Sequence, residues 1–284
     1  MLTGKWHFRT IGMGTINYRA AAKRLAREVF ATGLFETSMG HDEKFLKKEL
    51  SDFWIRHAPV LKARVHGFGW WVWKPEFIRV SLSKIPTNDG LLYLDAGSFI
   101  SLDPIDLDLL IKYLNMAMND SVVGSNSQDF LEEHYTSAEI LDKFDLSNAD
   151  RKSNQFYGGF LMLRNNAKAN DLVSEWSELI CRDNHTYLIP KRSSYDHKGF
   201  VHHAHDQAIL SCLLKNISAK SVKIGDKGSN GCIRLVRHKF GYRYLKPRPT
   251  VKYLFRAIDF ISRIKLAIER RLFKNFQSIP SINH

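Results

Sequence analysis

The run "GLLYLDAGSFI", residues 90–100, is apolar through Leu94 and then stops at Asp95. A carboxylate that closes a buried apolar strand is poorly solvated unless it meets a cation, a metal or a donor-rich ligand. The same acid can instead cap its own loop, accepting the backbone N–H groups of Gly97 and Ser98. A second group, "HAHDQ", sets His203, His205, Asp206 and Gln207 at the head of an apolar helical stretch. An acid there serves as an N-cap. Together with a histidine and an amide it can also orient sugar hydroxyls or move protons. His202, His203 and His205 lack the ligand spacing of a zinc site. A third group is "GFGWWVWKPE", residues 67–76, where Trp70, Trp71 and Trp73 precede Lys74 and Pro75. Tryptophan faces pack in cores, and they also form platforms against the apolar faces of sugars. The lysine between Trp73 and Pro75 is a point charge of the kind that suits a phosphate. The chain has no P-loop, no G-x-G-x-x-G and no G-x-S-x-G; "GMGTIN" is only a two-glycine turn.

These groups need elements to hold them. "WHFRTIG" (6–12) reads as a first strand ending near Gly12 and Gly14. "NYRAAAKRLAREVFATG" reads as a helix capped by Asn17 and stopped by Gly33. A helix over 42–56 follows. Residues 90–100 read as a buried strand with Asp95 at its carboxyl end. "DPIDLDLLIKYLNMAMN" is helical and "SVVGS" is a strand candidate. "FYGGFLMLR" (156–164) reads as a strand with close backbone approach at Gly158 and Gly159. Helices are predicted at 166–182 and 205–216, a strand at "KSVKI", and a long helix at 251–276. Strands alternating with helices imply an α/β domain with a mostly parallel central sheet flanked by helices. Such sheets bind ligands outside the carboxyl ends of their strands, where Asp95 lies. "KPRPT" marks a boundary between a catalytic domain at 1–245 and a basic segment at 246–284.

The charge is uneven. Residues 1–214 carry 25 Lys+Arg against 26 Asp+Glu, and residues 215–284 carry 17 against three, so the whole net charge of +13 comes from the last quarter. A polyanion is the expected partner of that end: nucleic acid, anionic lipid or phosphate groups. The stretch 251–276 places Leu254, Ile258, Ile261, Ile264, Ile268 and Leu272 on one stripe among seven basic and two acidic residues. It reads as an interfacial amphipathic helix or as a helix packed on the catalytic domain. The three cysteines, Cys181, Cys212 and Cys232, form no C-x-x-C and suit a reducing compartment. No apolar run is long enough to span a membrane, and the N-terminus does not read as a signal peptide. The expected location is cytoplasmic, peripheral on the inner face of the plasma membrane.

The segments "GFGWWVWKPEFI", "LLYLDAGSFI", "YGGFLMLRNN" and "HAHDQAILSCLL" resemble, in this order, small bacterial GT-A-fold glycosyltransferases of capsule and lipopolysaccharide biosynthesis. More distantly, the chain is similar to the retaining galactosyltransferases of the family 8 type. The resemblance covers about residues 6–245. It implies a Rossmann-like GT-A domain and a nucleotide-diphosphate sugar donor, such as a UDP-hexose. The acceptor it implies is a glycan or a lipid-linked saccharide. Thr10, Ile11 and Gly12 would meet the nucleoside, and Asp95, Ala96 and Gly97 would stand at the D-x-D motif. Lys74 would contact the diphosphate, aided by Arg234 and Arg237. Asp206 and Gln207 would be catalytic, Asp206 being the general base if the reaction inverts. Trp70, Trp73 and His205 would line the sugar cleft. A divalent cation, Mn²⁺ or Mg²⁺, would be held by Asp95 and by His238 of "HKFGYRYLKP", with Lys246 near the diphosphate. Against the cation, the third D-x-D position is Gly97, and Ala208 stands where the galactosyltransferases carry another acid. The alternatives are a nucleic-acid-binding protein acting through its basic end, for which no nucleic-acid motif is present, and a GT-A-like scaffold without activity.

Overall fold

In the computed structural model, residues 1–63, 66–190, 193–225 and 231–235 are described, with isolated positions between 257 and 271. The first strand, β1 (Trp6–Gly12), is buried along its whole length, as a strand covered on both faces must be. It leads into α1 (Ile16–Phe30), whose Ala21, Ala22, Leu25, Ala26 and Val29 are buried. The extended Thr15, rather than Asn17, occupies the N-cap position of this helix. The chain returns as β2 (Thr37–Asp42), parallel to β1.

The remaining strands are β3 (Gly90–Leu94), β4 (Ser98–Ile100), β5 (Val122–Gly124), β6 (Asn126–Leu131), β7 (Asn154–Phe156), β8 (Phe160–Arg164), β9 (Lys220–Ser221) and β10 (Ile233–Leu235). The central sheet has the order β2-β1-β3-β8-β5-β9. β1 pairs parallel to β2 and β3, and β5 pairs parallel to β9. β8 is antiparallel to both of its neighbours, β3 and β5. Five strands thus share one direction and β8 opposes them. Two small ladders, β10 with β4 and β6 with β7, flank the sheet.

Four longer helices complete the layers: α2 (Lys74–Ser83), α3 (Pro104–Asp120), α4 (Ala167–Cys181) and α5 (His205–Asn216). Alternate residues of β3 face opposite sides. Leu91 and Tyr93 join one core with Phe77 of α2, Trp176 of α4 and Leu213 of α5. Leu92 and Leu94 join the other with Leu25 of α1 and with Leu110 and Leu114 of α3. The mostly parallel sheet flanked by helices agrees with the expected fold class.

Several local expectations change. The helix expected at 42–56 is divided at Leu50, whose backbone is non-helical, into Glu43–Glu49 and Ser51–Arg56. The strand expected at 156–164 is interrupted after Phe156 and resumes at Phe160. Of "KSVKI" only Lys220 and Ser221 form a strand. The 245/246 boundary, His238, Arg237 and Lys246 lie outside the described residues. So does most of 251–276, whose described positions are helical.

Candidate active site

Asp95 follows the last residue of β3 and begins a tight turn. Its N–H donates to Gly159 O at 2.9 Å, and its carbonyl accepts Ser98 N–H at 2.9 Å. The cap is therefore made by backbone, and the carboxylate is free for other work. Tyr93, two residues earlier on the same face of β3, donates its hydroxyl to Asp95 Oδ1 at 2.7 Å. Burial, with Asp95 adding to it, pushes the Tyr93 phenol well above its ordinary range, so it remains a donor. The Asp95 side chain keeps 40% of its exposure.

Lys74 comes from the first turn of α2, on the neighbouring core face. Its side chain is 3% exposed. The ammonium lies 2.7 Å from Asp206 Oδ2 and 3.5 Å from Asp95 Oδ1, and it donates to Gly158 O at 3.0 Å. Asp206 opens α5 and is 4% exposed along its side chain. Its backbone carbonyl accepts the Trp176 indole N–H at 3.1 Å. Burial raises the Asp206 carboxyl to about 6, against the downward pull of Lys74. Burial lowers Lys74, but the two acids outweigh it and its pKa rises, so the lysine stays charged.

The gap between β7 and β8 is the turn that lets these groups meet. A Cβ on Gly158 would sit 3.3 Å from Asp206 Oδ2, and one on Gly159 would sit 2.8 Å from Asp95 Oδ2. The close approach expected at these two glycines is thus present: the head of α5, Gln207 and Asp206, packs on Gly158, and Asp95 packs on Gly159. Gln207 accepts Gly158 N–H at 3.1 Å and donates to Gln155 Oε1 at 2.8 Å.

The tryptophan stretch takes an uncommon form. Gly67 (φ 65°), Phe68 (58°), Gly69 (91°), Trp70 (49°) and Trp71 (61°) are five consecutive left-handed residues. Outside glycine each such residue costs roughly 1–2 kcal/mol. Trp73 is 4% exposed and ties the turn together, its indole N–H donating to Gly67 O at 3.2 Å. Trp73 therefore supports the turn rather than walling a cleft. Trp70 and Trp71 are half-buried and lie 6.1 and 6.5 Å from the His205 ring. The Trp71 ring lies 5.5 Å from Lys74 Nζ. His205 donates its Nδ1–H to Leu188 O, 2.9 Å away.

Thr10, Ile11 and Gly12 form the carboxyl end of β1, beside that of β3, and all three are buried. Among the described residues nothing bonds the Thr10 hydroxyl, which is buried. Ala96 packs on Ala21 and Ala22 of α1. Arg24 of α1, which sequence reasoning passed over, is 3% exposed and donates to Ala96 O at 3.2 Å and Ser98 O at 2.8 Å. It pairs with Glu28 at 2.9 Å. Its signal was an arginine on an apolar helix face with a glutamate four residues on. Arg234 lies opposite Phe99 in the β10–β4 ladder.

A second polar cluster adjoins the first and was also missed. Glu132 is fully buried and meets Lys215 at 2.8 Å, Thr136 at 2.6 Å, Gln155 at 3.0 Å and Ser211 at 2.5 Å. Gln155 links this cluster to Gln207.

The divalent cation implied by the resemblance does not fit the described residues. The place between the two acids is taken by an ammonium, and Gly97 offers no side chain. Among the described residues three metal-ligating groups converge elsewhere, at Glu133, His134 and His197.

No protein-family model and no curated protein sequence matches the chain. Among solved structures it is similar to mouse xyloside xylosyltransferase 1, at 11% identity, 78% of this chain against 85% of that one, TM-score 0.41. It is also similar to the galactosyltransferase LgtC in complex with donor and acceptor sugar analogues, at 14% identity, 73% against 70%, TM-score 0.38. A third likeness is to the glycosyltransferase GlyE of Streptococcus pneumoniae TIGR4, at 11% identity, 97% against 64%, TM-score 0.38.

Proposed function

We propose that the chain is a glycosyltransferase that moves a hexose from a nucleotide-diphosphate sugar, such as a UDP-hexose, to a saccharide acceptor. One observation carries this reading. At the carboxyl edge of the sheet, a single half-open carboxylate, Asp95, is held in place by Tyr93 and Lys74 against the buried Asp206. This edge is where α/β sheets bind ligands. In the reaction, an acceptor hydroxyl oxygen bonds to the anomeric carbon while the bond to the diphosphate oxygen breaks. The diphosphate keeps that electron pair, and the hydroxyl proton leaves to a base. Asp95 accepts hydroxyl hydrogens in the cleft. Asp206 and Gln207, whose polar atoms meet protein partners, position Lys74 and the Gly158 turn. The end of β1, with the unbonded Thr10 hydroxyl, faces the nucleoside. Trp70, Trp71 and His205 offer an aromatic wall to the apolar face of a sugar.

The basic excess after residue 214 supports two further parts of the reading: contacts to the diphosphate, and docking of 251–276 on an anionic membrane surface that carries a lipid-linked acceptor of surface polysaccharide synthesis. Titration of UDP, GDP, ADP and CMP, followed by tryptophan fluorescence, tests the donor. Saturable quenching by one nucleotide at micromolar concentration is expected. Silence toward all four, with tight and salt-sensitive DNA binding, would sink the proposal.

A further inference from the structure

Two carboxylates facing one point are what a divalent cation bridges. Here that point holds Lys74 Nζ, 2.7 Å from Asp206 and 3.5 Å from Asp95. An ammonium has three N–H bonds and no more. That of Lys74 donates to the Gly158 carbonyl and is ion-paired with Asp206 and Asp95. The side chain is 3% exposed, so a phosphate has no open path to it. Lys74 therefore cannot be the diphosphate ligand that its sequence setting suggests.

The charge of the cluster points the same way. One lysine against two carboxyl groups leaves acid in excess. That excess repels a diphosphate and attracts hydroxyl donors. Asp95 is the only exposed member. Its Oδ1 is taken by Tyr93, and among the described residues no group bonds its Oδ2. Gly159 brings bare backbone to that edge, where a Cβ would sit 2.8 Å from Oδ2.

Resting on the transferase reading above, we propose that the Lys74 ammonium is this site's built-in replacement for a divalent cation. Asp95 thereby accepts hydroxyl hydrogens of the transferred sugar instead of holding a metal ion against the diphosphate. Donor binding is then independent of metal, and Asp95 contributes to the sugar part of the donor and not to the nucleotide part.

The test uses the full chain with two sets of probes: free UDP and GDP, and UDP-glucose, UDP-galactose, UDP-N-acetylglucosamine and GDP-mannose. Each is titrated calorimetrically in EDTA and again with Mn²⁺. The nucleotide and its sugar conjugate are expected to bind within about twofold in the two conditions. Asp95→Asn is expected to weaken the sugar conjugate by about tenfold or more and the free nucleotide by less than about twofold, since a hydrogen bond to a charged group is worth that much. Asp95→Ser repeats the comparison if the amide disturbs the Tyr93 contact. If Mn²⁺ tightens the free nucleotide more than about tenfold, or if both variants weaken nucleotide and conjugate alike, the proposal is overturned and the transferase reading survives. If no probe binds in either condition, both readings fall.

Discussion

Among the described residues two lysine side chains, those of Lys74 and Lys215, are buried against carboxylate, and they end differently. Lys215 and Glu132 are 4% and 0% exposed along their side chains, and Glu132 has partners on every side: Lys215, Thr136, Gln155 and Ser211. Lys74 is as deeply buried, but one of its two acids, Asp95, is 40% open to solvent. A sealed ion pair can only hold structure. An open one keeps an acceptor aimed outward while its lysine fixes the direction. Gln155 and Gln207 connect the two, so the sealed cluster also braces the turn that carries Gly158.

The comparison breaks first if the sealed pair does not hold structure. Lys215→Met leaves Glu132 buried and unpaired. It is expected to cost about 3–5 kcal/mol in urea denaturation; a loss under about 1 kcal/mol would show that the pair does not hold this cluster. Lys74→Met comes next. It strands Asp206, whose carboxyl already reaches about 6 and can take a proton. A smaller loss of about 2–4 kcal/mol is expected. Adding Asp206→Leu should restore part of the stability and none of the sugar-conjugate binding, which separates the lysine's structural share from its directing one. Asp95→Asn is third, with a stability change within about 0.5 kcal/mol despite its expected effect on binding. A larger loss would make the open acid structural too.

The smallest effect lies in the pH dependence. Burial raises Asp206 from 3.8 to about 6, so its contribution to stability is full below about pH 4 and is lost as pH rises through about 6. Burial lowers His203 from 6.5 to about 3, and His41 and His57 to about 4. Their contribution is full above pH 6.5 and is lost as pH falls through those values. The two effects oppose each other between about pH 4 and 6. Asp206→Asn removes one of them, so its stability should fall more steeply than wild type over that window, whatever its offset. Parallel curves would show that Asp206 does not titrate there.

Much of this was legible. The apolar run to Leu94 must stop at Asp95, and the apolar pattern after Asp206 gives α5 its bounds. The paired glycines at 158 and 159 declared a close approach. What was hidden depends on contacts between distant segments. β2, "TSMGHD", has no apolar alternation, and pairing with β1 alone makes it a strand. The apolar run of β8 reads the same in either direction, so its antiparallel course is set by its neighbours. Lys74 could be marked as no idle charge from Trp73 and Pro75, but its burial and ion pairs need Gly158 and Asp206, far along the chain. Glu132 and Lys215 lie in unrelated polar surroundings, with no local pattern to pair them.

The mirror-handed turn at 67–71 has a consequence for how this protein tolerates change. Trp70 holds a backbone conformation that glycine would hold without strain. Trp70→Gly should relieve about 1 kcal/mol of that strain, set against the loss of a half-buried ring. Selection for thermal endurance alone would favour such replacements. A lineage that keeps indoles there is conserving a surface at the expense of robustness, so stabilised variants are best sought outside this turn.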